Sequence, residues 1–151
     1  MEAFAWIEQT RLSVFIREDF YAYFVLLIFH AWGMALLVGA GVAISLRTLG
    51  VASGTRLERF RGFIPVMWLG ATLAIVSGLG LLAGYPAKGL TNWIFALKFA
   101  CLIGAALLVR RVARQAFPAA AAALLLWFGA VACGKLLLYT NSILLTSDLV
   151  E

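Results

Sequence analysis

The sequence predicts an all-α membrane protein: an antiparallel up-and-down bundle of four transmembrane helices, preceded by a short amphipathic surface helix. Three observations carry this reading. Hydrophobic residues make up 64% of the 151 residues and charged residues 13%, against roughly 45–50% and 25% in soluble domains. The excess is concentrated in four apolar runs, at about 20–45, 63–82, 93–109 and 119–139, each near the length that crosses a bilayer. The connections between them are short, which joins neighbouring helices in antiparallel order. The whole chain, 1–151, is therefore read as one integral membrane domain.

The elements follow in order. Near the N-terminus, Trp6, Ile7, Leu12, Phe15 and Ile16 recur at roughly helical spacing, with Glu8, Gln9 and Arg11 between them. That pattern suits a helix lying on the membrane surface. Charges of both signs in the same stretch separate it from a secretory signal, which needs a basic start and an apolar core. The first span opens at the aromatic cluster FYAYF, suited to the interface. Gly50, Ser53 and Gly54 mark the turn after it. Pro65 falls in the first turn of the second span, Pro86 ends that span, and Pro118 opens the fourth; helices tolerate proline at their starts. The third span is the shortest, at the lower limit for crossing with little tilt. Glycines recur along the spans, with Gly33, Leu37 and Gly41 sharing a face of the first. Such residues let membrane helices approach closely where lipid provides no hydrophobic drive for association.

The formal charge of +5 is distributed by topology. Arg47, Arg56, Arg59 and Arg61 follow the first span and Arg110, Arg111 and Arg114 the third, while the other side has only Arg11, Arg17 and Lys88. Because cytoplasmic loops carry the Lys/Arg excess, both termini are expected outside, in the periplasm if the membrane is a bacterial inner (plasma) membrane. The scattered arginines form no continuous basic face, so nucleic acid is not an expected partner. Cys101 and Cys133 fall in spans three and four without the local spacing of a metal or redox motif, and read as small packing residues.

Three ionisable residues lie inside the apolar runs: His30, Lys98 and Lys135. His30 is about ten residues into the first span, roughly 15 Å deep at the helical rise. Lys98 is about five residues past Trp93, and Lys135 about four before Tyr139, so they lie roughly 8 Å and 6 Å from the same side. All three therefore share the outer half of the bilayer, and no acidic residue lies in any span. Lysines so placed can snorkel to the headgroups, and a membrane histidine can simply bond a neighbouring helix. Ionisable residues in spans are nonetheless rare and usually face the bundle interior. Two ligands suit the set. Haem b would take His30 as its axial metal ligand, with its propionates against Lys98 and Lys135. A quinone would need hydrogen bonds from His30 and the lysines, with Trp32, Tyr139, Trp93 or Phe95 as apolar walls.

The segment LSVFIREDFYAYFVLLIFHAWGMALLVGAGVAISLRTLG resembles the start of a family of small bacterial four-span inner-membrane proteins without an agreed activity. Residues 92–102, NWIFALKFACL, resemble its third span and LLLWFGAVACGKLLLY its fourth. The resemblance implies a histidine in span one, here His30, with Lys98 in span three. The family usually has Gly-Arg where this chain has Gly134-Lys135, which keeps the charge and loses the bidentate fork.

Three functions follow as expectations. The first is a membrane subunit binding haem or quinone near His30 and serving electron transfer. The second is a non-catalytic scaffold or anchor in a larger complex. The third is a small-solute or ion transporter, which the missing intramembrane acids and interrupted helices weaken. No nucleophilic triad, paired carboxylates or phosphate loop is visible, so the chain is not read as an enzyme on its own. Its expected partners are membrane lipids and either further copies of itself or other membrane or periplasmic subunits.

Overall fold

The computed structural model describes residues 5–51, 53–86, 90, 92–112, 114 and 116–147. These form seven helices: α1 (Ala5–Glu8), α2 (Arg11–Glu18), α3 (Phe20–Thr48), α4 (Leu57–Arg61), α5 (Phe63–Gly84), α6 (Trp93–Val112) and α7 (Phe117–Ser147), with no strand among the described residues. Four of them are long and apolar enough to cross a membrane, and the chain is an all-α, multi-pass membrane protein. Each spanning helix runs past the apolar stretch read from the sequence. α3 continues through Arg47 and Thr48, α6 through Arg110 and Arg111, and α7 beyond Tyr139. A helix keeps its backbone bonds satisfied into the headgroup region, where polar side chains cost little. Lys88, in the turn expected after Tyr85, lies outside the described residues.

One residue separates the surface helix from the first span. Asp19 closes α2 through its N–H to the Phe15 carbonyl, and its carboxylate Oδ1 then accepts the Ala22 N–H of α3 at 2.7 Å. A short acidic side chain at a helix N-terminus satisfies an orphan donor and complements the dipole. Thr10 caps α2 in the same way, accepting from the Ser13 N–H at 3.3 Å. The helix is docked as well as amphipathic. Ser13 Oγ donates to the Gly84 carbonyl at 3.3 Å, and Ile16 sits so close that a Cβ on Gly84 would lie 2.8 Å from its Cγ2. Leu12 and Phe15 stay exposed on the other face. At the far end of α3 the chain turns at Gly50, whose φ of 101° is open to glycine. The Arg47 guanidinium then holds the loop, donating to the Thr55 carbonyl at 2.7 Å and the Ser53 carbonyl at 3.1 Å.

The spans pack as two antiparallel pairs, α3 with α5 and α6 with α7, joined mainly through α3 against α7. α3 is therefore the hub. Against α5 it makes a backbone-to-backbone contact: a Cβ on Gly33 would lie 2.9 Å from the Gly70 carbonyl oxygen and collide with the Ala74 backbone. Against α7 it offers Gly41, over which the fully buried Trp127 ring lies. Val38, Ile44, Met67, Ala105, Val112 and Trp127 belong to one apolar core near the arginine-bearing end. Thr48 Oγ1 ties that end together, donating to the carbonyls of Ile44 at 3.1 Å and Val112 at 3.2 Å. His30, Ser77 and Lys98 lie in the half nearer α2, where Ser13 of α2 reaches Gly84 of α5.

Candidate functional site

His30 lies on the α3 face that meets α5. Its Nδ1 is 3.0 Å from the Ala74 carbonyl oxygen and 3.3 Å from Ser77 Oγ. Ser77 directs its own hydroxyl to the Leu73 carbonyl at 2.6 Å, leaving its lone pairs toward the ring. Both neighbours of Nδ1 thus accept, so Nδ1 carries the proton. Close approach of the ring needs Gly78, where a Cβ would lie 3.1 Å from His30 Cε1. The imidazole is thereby clamped to the α5 backbone through one nitrogen, and the second, Nε2, presents a lone pair to the interior. Anchoring one ring nitrogen on a carbonyl to aim the other is how proteins orient functional imidazoles.

Lys98 answers that lone pair. Its Nζ lies 3.5 Å from His30 Nε2, bridging from α6 toward α3. The ammonium fits because the facing residue on α7 is Gly134, where a Cβ would come within 3.8 Å of Lys98 Cε and Nζ. An ammonium has three donors. One meets His30 at the outer limit of hydrogen-bond length, and the others find no acceptor among the described residues. No aspartate or glutamate occurs anywhere in α3, α5, α6 or α7, so no counter-charge for Lys98 can come from the four spans.

The other candidates are placed elsewhere. Lys135 is exposed and, among the described residues, makes no hydrogen bond with His30 or Lys98. Residue count puts it near their level, but one residue is about 100° of helix, and at this interface it is Gly134 that faces Lys98. Trp32 is 61% exposed, edge-on to Phe29, and Tyr139 is 57% exposed. Neither walls the histidine. Trp93 is also exposed, while Phe95 is half-buried against Phe99.

Haem does not fit the residues present. The Nε2 that would bind iron is turned onto Lys98. Met34 is one turn from His30 on the same helix, and Met67 is buried in the core near the opposite end, so neither completes an axial pair. Among the described residues no group of three His, Cys, Asp or Glu side chains comes together.

Sequence reasoning missed the α5 side of the site. The Ala74 carbonyl leaves no mark in a sequence, because every residue has one. Ser77 and Gly78 do carry a signal: they lie about seven residues from the end of α5, roughly 10 Å deep, in the depth range of His30. No family model matches this chain, and neither the curated proteins nor the solved structures contain a significant match to it.

Proposed function

We propose that the chain is a bacterial inner-membrane subunit, with both termini periplasmic, that binds a quinone at Lys98 and His30 in the outer half of the bilayer and serves electron transfer. The single observation behind this reading is the Lys98 ammonium, held inside a span with unspent donors and no carboxylate in any spanning helix. A buried charge of that kind is stabilised when an oxygen acceptor reaches it. A quinone carbonyl is such an acceptor, and its ring and tail are apolar enough to arrive through lipid. Lys98 would donate to the carbonyl oxygen and favour the negative charge that builds there on reduction. His30, fixed by Ala74, would hold the ammonium in place through Nε2.

The test is direct. Protein purified in mild detergent is extracted with organic solvent and the quinone content measured, and binding of a short-chain ubiquinone is titrated by quenching of tryptophan fluorescence. Lys98→Met should weaken binding by about tenfold or more, the weight of one charge-assisted hydrogen bond. Lys135→Met should leave it unchanged. Equal affinity in the Lys98→Met variant would overturn the reading, as would a Soret band from haem in the purified protein.

A role as an anchor within a larger complex is the second reading. α5 packs on α3 and α2 and makes no comparable pairing with α6 or α7. Its far face, with Trp68, Leu69, Ile75, Val76 and Leu79 all at least 60% exposed, is open to another subunit or a second copy. A species heavier than 16.4 kDa by native mass measurement would support it, and a monomer in several mild detergents would count against it.

A further inference from the structure

The end of the bundle opposite α2 carries charge that the function proposed above does not use. Along 47–62 and 110–117 every basic residue is arginine, seven in all, and Glu58 is the one acid. Arg47 is occupied by its loop, where it donates to the Thr55 and Ser53 carbonyls. The other six, Arg56, Arg59, Arg61, Arg110, Arg111 and Arg114, are exposed. Among the described residues none of them makes an ion pair or a side-chain hydrogen bond. Packing gathers them at one end. Thr48 Oγ1 donates to the Val112 carbonyl at 3.2 Å, which pins the last turn of α6 to the end of α3. On α4, the half-buried Phe60 packs on the same apolar core as Val112, so Arg59 and Arg61 beside it reach that end as well.

We propose that this end of α6 is a binding site for an anionic phospholipid, with Arg110 and Arg111 on its headgroup phosphate. Position along the helix brings the two chemistries together. Ile103 and Leu107 are exposed, and Leu107 and then Arg110 and Arg111 follow Ile103 at steps of three or four residues, which keeps them on one face. An acyl chain lying along Ile103 and Leu107 thus ends with its phosphate at the guanidinium groups. A helix C-terminus ordinarily repels an anion through its free carbonyls. Here two of the last carbonyls are already bonded: Val112 by Thr48, and Arg111 by the N–H groups of Arg114 at 3.1 Å and Ala116 at 3.2 Å. Arginine suits a phosphodiester, which it meets with two parallel N–H bonds. α4 adds the positive potential of its own arginines at the same end. Juxtamembrane basic clusters draw anionic lipids, and the apolar track beside the charge selects a lipid over a soluble phosphate.

The experiment titrates phosphatidylglycerol and phosphatidylcholine into the full chain in mild detergent and counts bound lipids by native mass spectrometry. The first phosphatidylglycerol should bind roughly 25-fold more tightly than phosphatidylcholine, about fivefold for each of the two arginines. Arg110→Gln or Arg111→Gln should each lose about fivefold of that preference, while Arg11→Gln, at the other end, should keep all of it. Equal affinity for the two lipids in the unaltered protein would overturn the proposal, and that comparison stands even if an arginine variant inserts poorly. An unchanged preference in the double variant, Arg110→Gln with Arg111→Gln, would overturn it too. Glycerophosphoglycerol and inorganic phosphate, which lack acyl chains, should not displace the lipid at equal concentration. Displacement by either would assign a soluble-phosphate site and refute the lipid. Quinone binding should persist in the arginine variants, and the lipid preference in Lys98→Met, so this proposal and the quinone reading fail separately.

Discussion

Gly33→Ala tests the contact that places His30. A Cβ at Gly33 would lie 2.9 Å from both the Gly70 carbonyl oxygen and Ala74 Cα, and closer still to the Ala74 nitrogen. All three are backbone atoms, so no side-chain rotation relieves the overlap. Ordinary contact begins near 3.5 Å, so α3 must move from α5 by at least about half an ångström. Overpacking of this kind costs about 1–3 kcal/mol. The same shift stretches the 3.0 Å bond from His30 Nδ1 to the carbonyl of Ala74, the residue that the new methyl strikes. Losing an interhelical bond in a membrane protein adds about 0.6–1.7 kcal/mol. Gly39→Ala is the matched control: it is on the same helix, nothing lies within 4 Å of its Cβ position, and alanine should be neutral or stabilise by up to about 1 kcal/mol. Reversible unfolding in mixed micelles, followed by tryptophan fluorescence, should therefore separate the two variants by about 2–5 kcal/mol. If Gly33→Ala is as stable as Gly39→Ala, the close α3–α5 packing is wrong, and the anchoring of His30 goes with it.

Trp127→Ala should destabilise by about 3–5 kcal/mol, because it empties a fully buried ring site against Gly41. Its indole Nε1 has no hydrogen-bond partner among the described residues, so Trp127→Phe should cost much less, and the two midpoints in the same assay check the ratio. Ser13→Ala removes the bond to the Gly84 carbonyl and should cost about 0.5–1.5 kcal/mol. Hydrogen exchange should quicken over α2 and not over α6; uniform quickening would refute a locally docked helix. For topology, Ser53→Cys in a chain lacking Cys101 and Cys133 should react with membrane-impermeant maleimide only after the cytoplasmic face is opened. Labelling of intact spheroplasts would reverse the proposed orientation.

The sequence by itself determined the class of molecule, because crossing a bilayer is a local requirement. Each span must carry its own run of apolar residues and satisfy its own backbone bonds, so four spans can be counted without knowing how they touch. The same holds for the amphipathic α2 and for the position of His30, Lys98 and Lys135 along their helices, since distance from a helix end is residue count multiplied by helical rise. Direction around each helix axis was not determined. Depth grouped Lys135 with the pair, and only the packing of α7 against α6 decided that Gly134 faces Lys98 while Lys135 is exposed. Apolar side chains surround these helices on every side, so no amphipathic stripe marks the inward face. That choice was left to backbone contacts at Gly33, Gly70 and Ala74 and to the seat of Trp127 on Gly41. The anchor of His30 is the Ala74 carbonyl, which no residue type specifies. Only the packed helices could select it from the many carbonyls along α5.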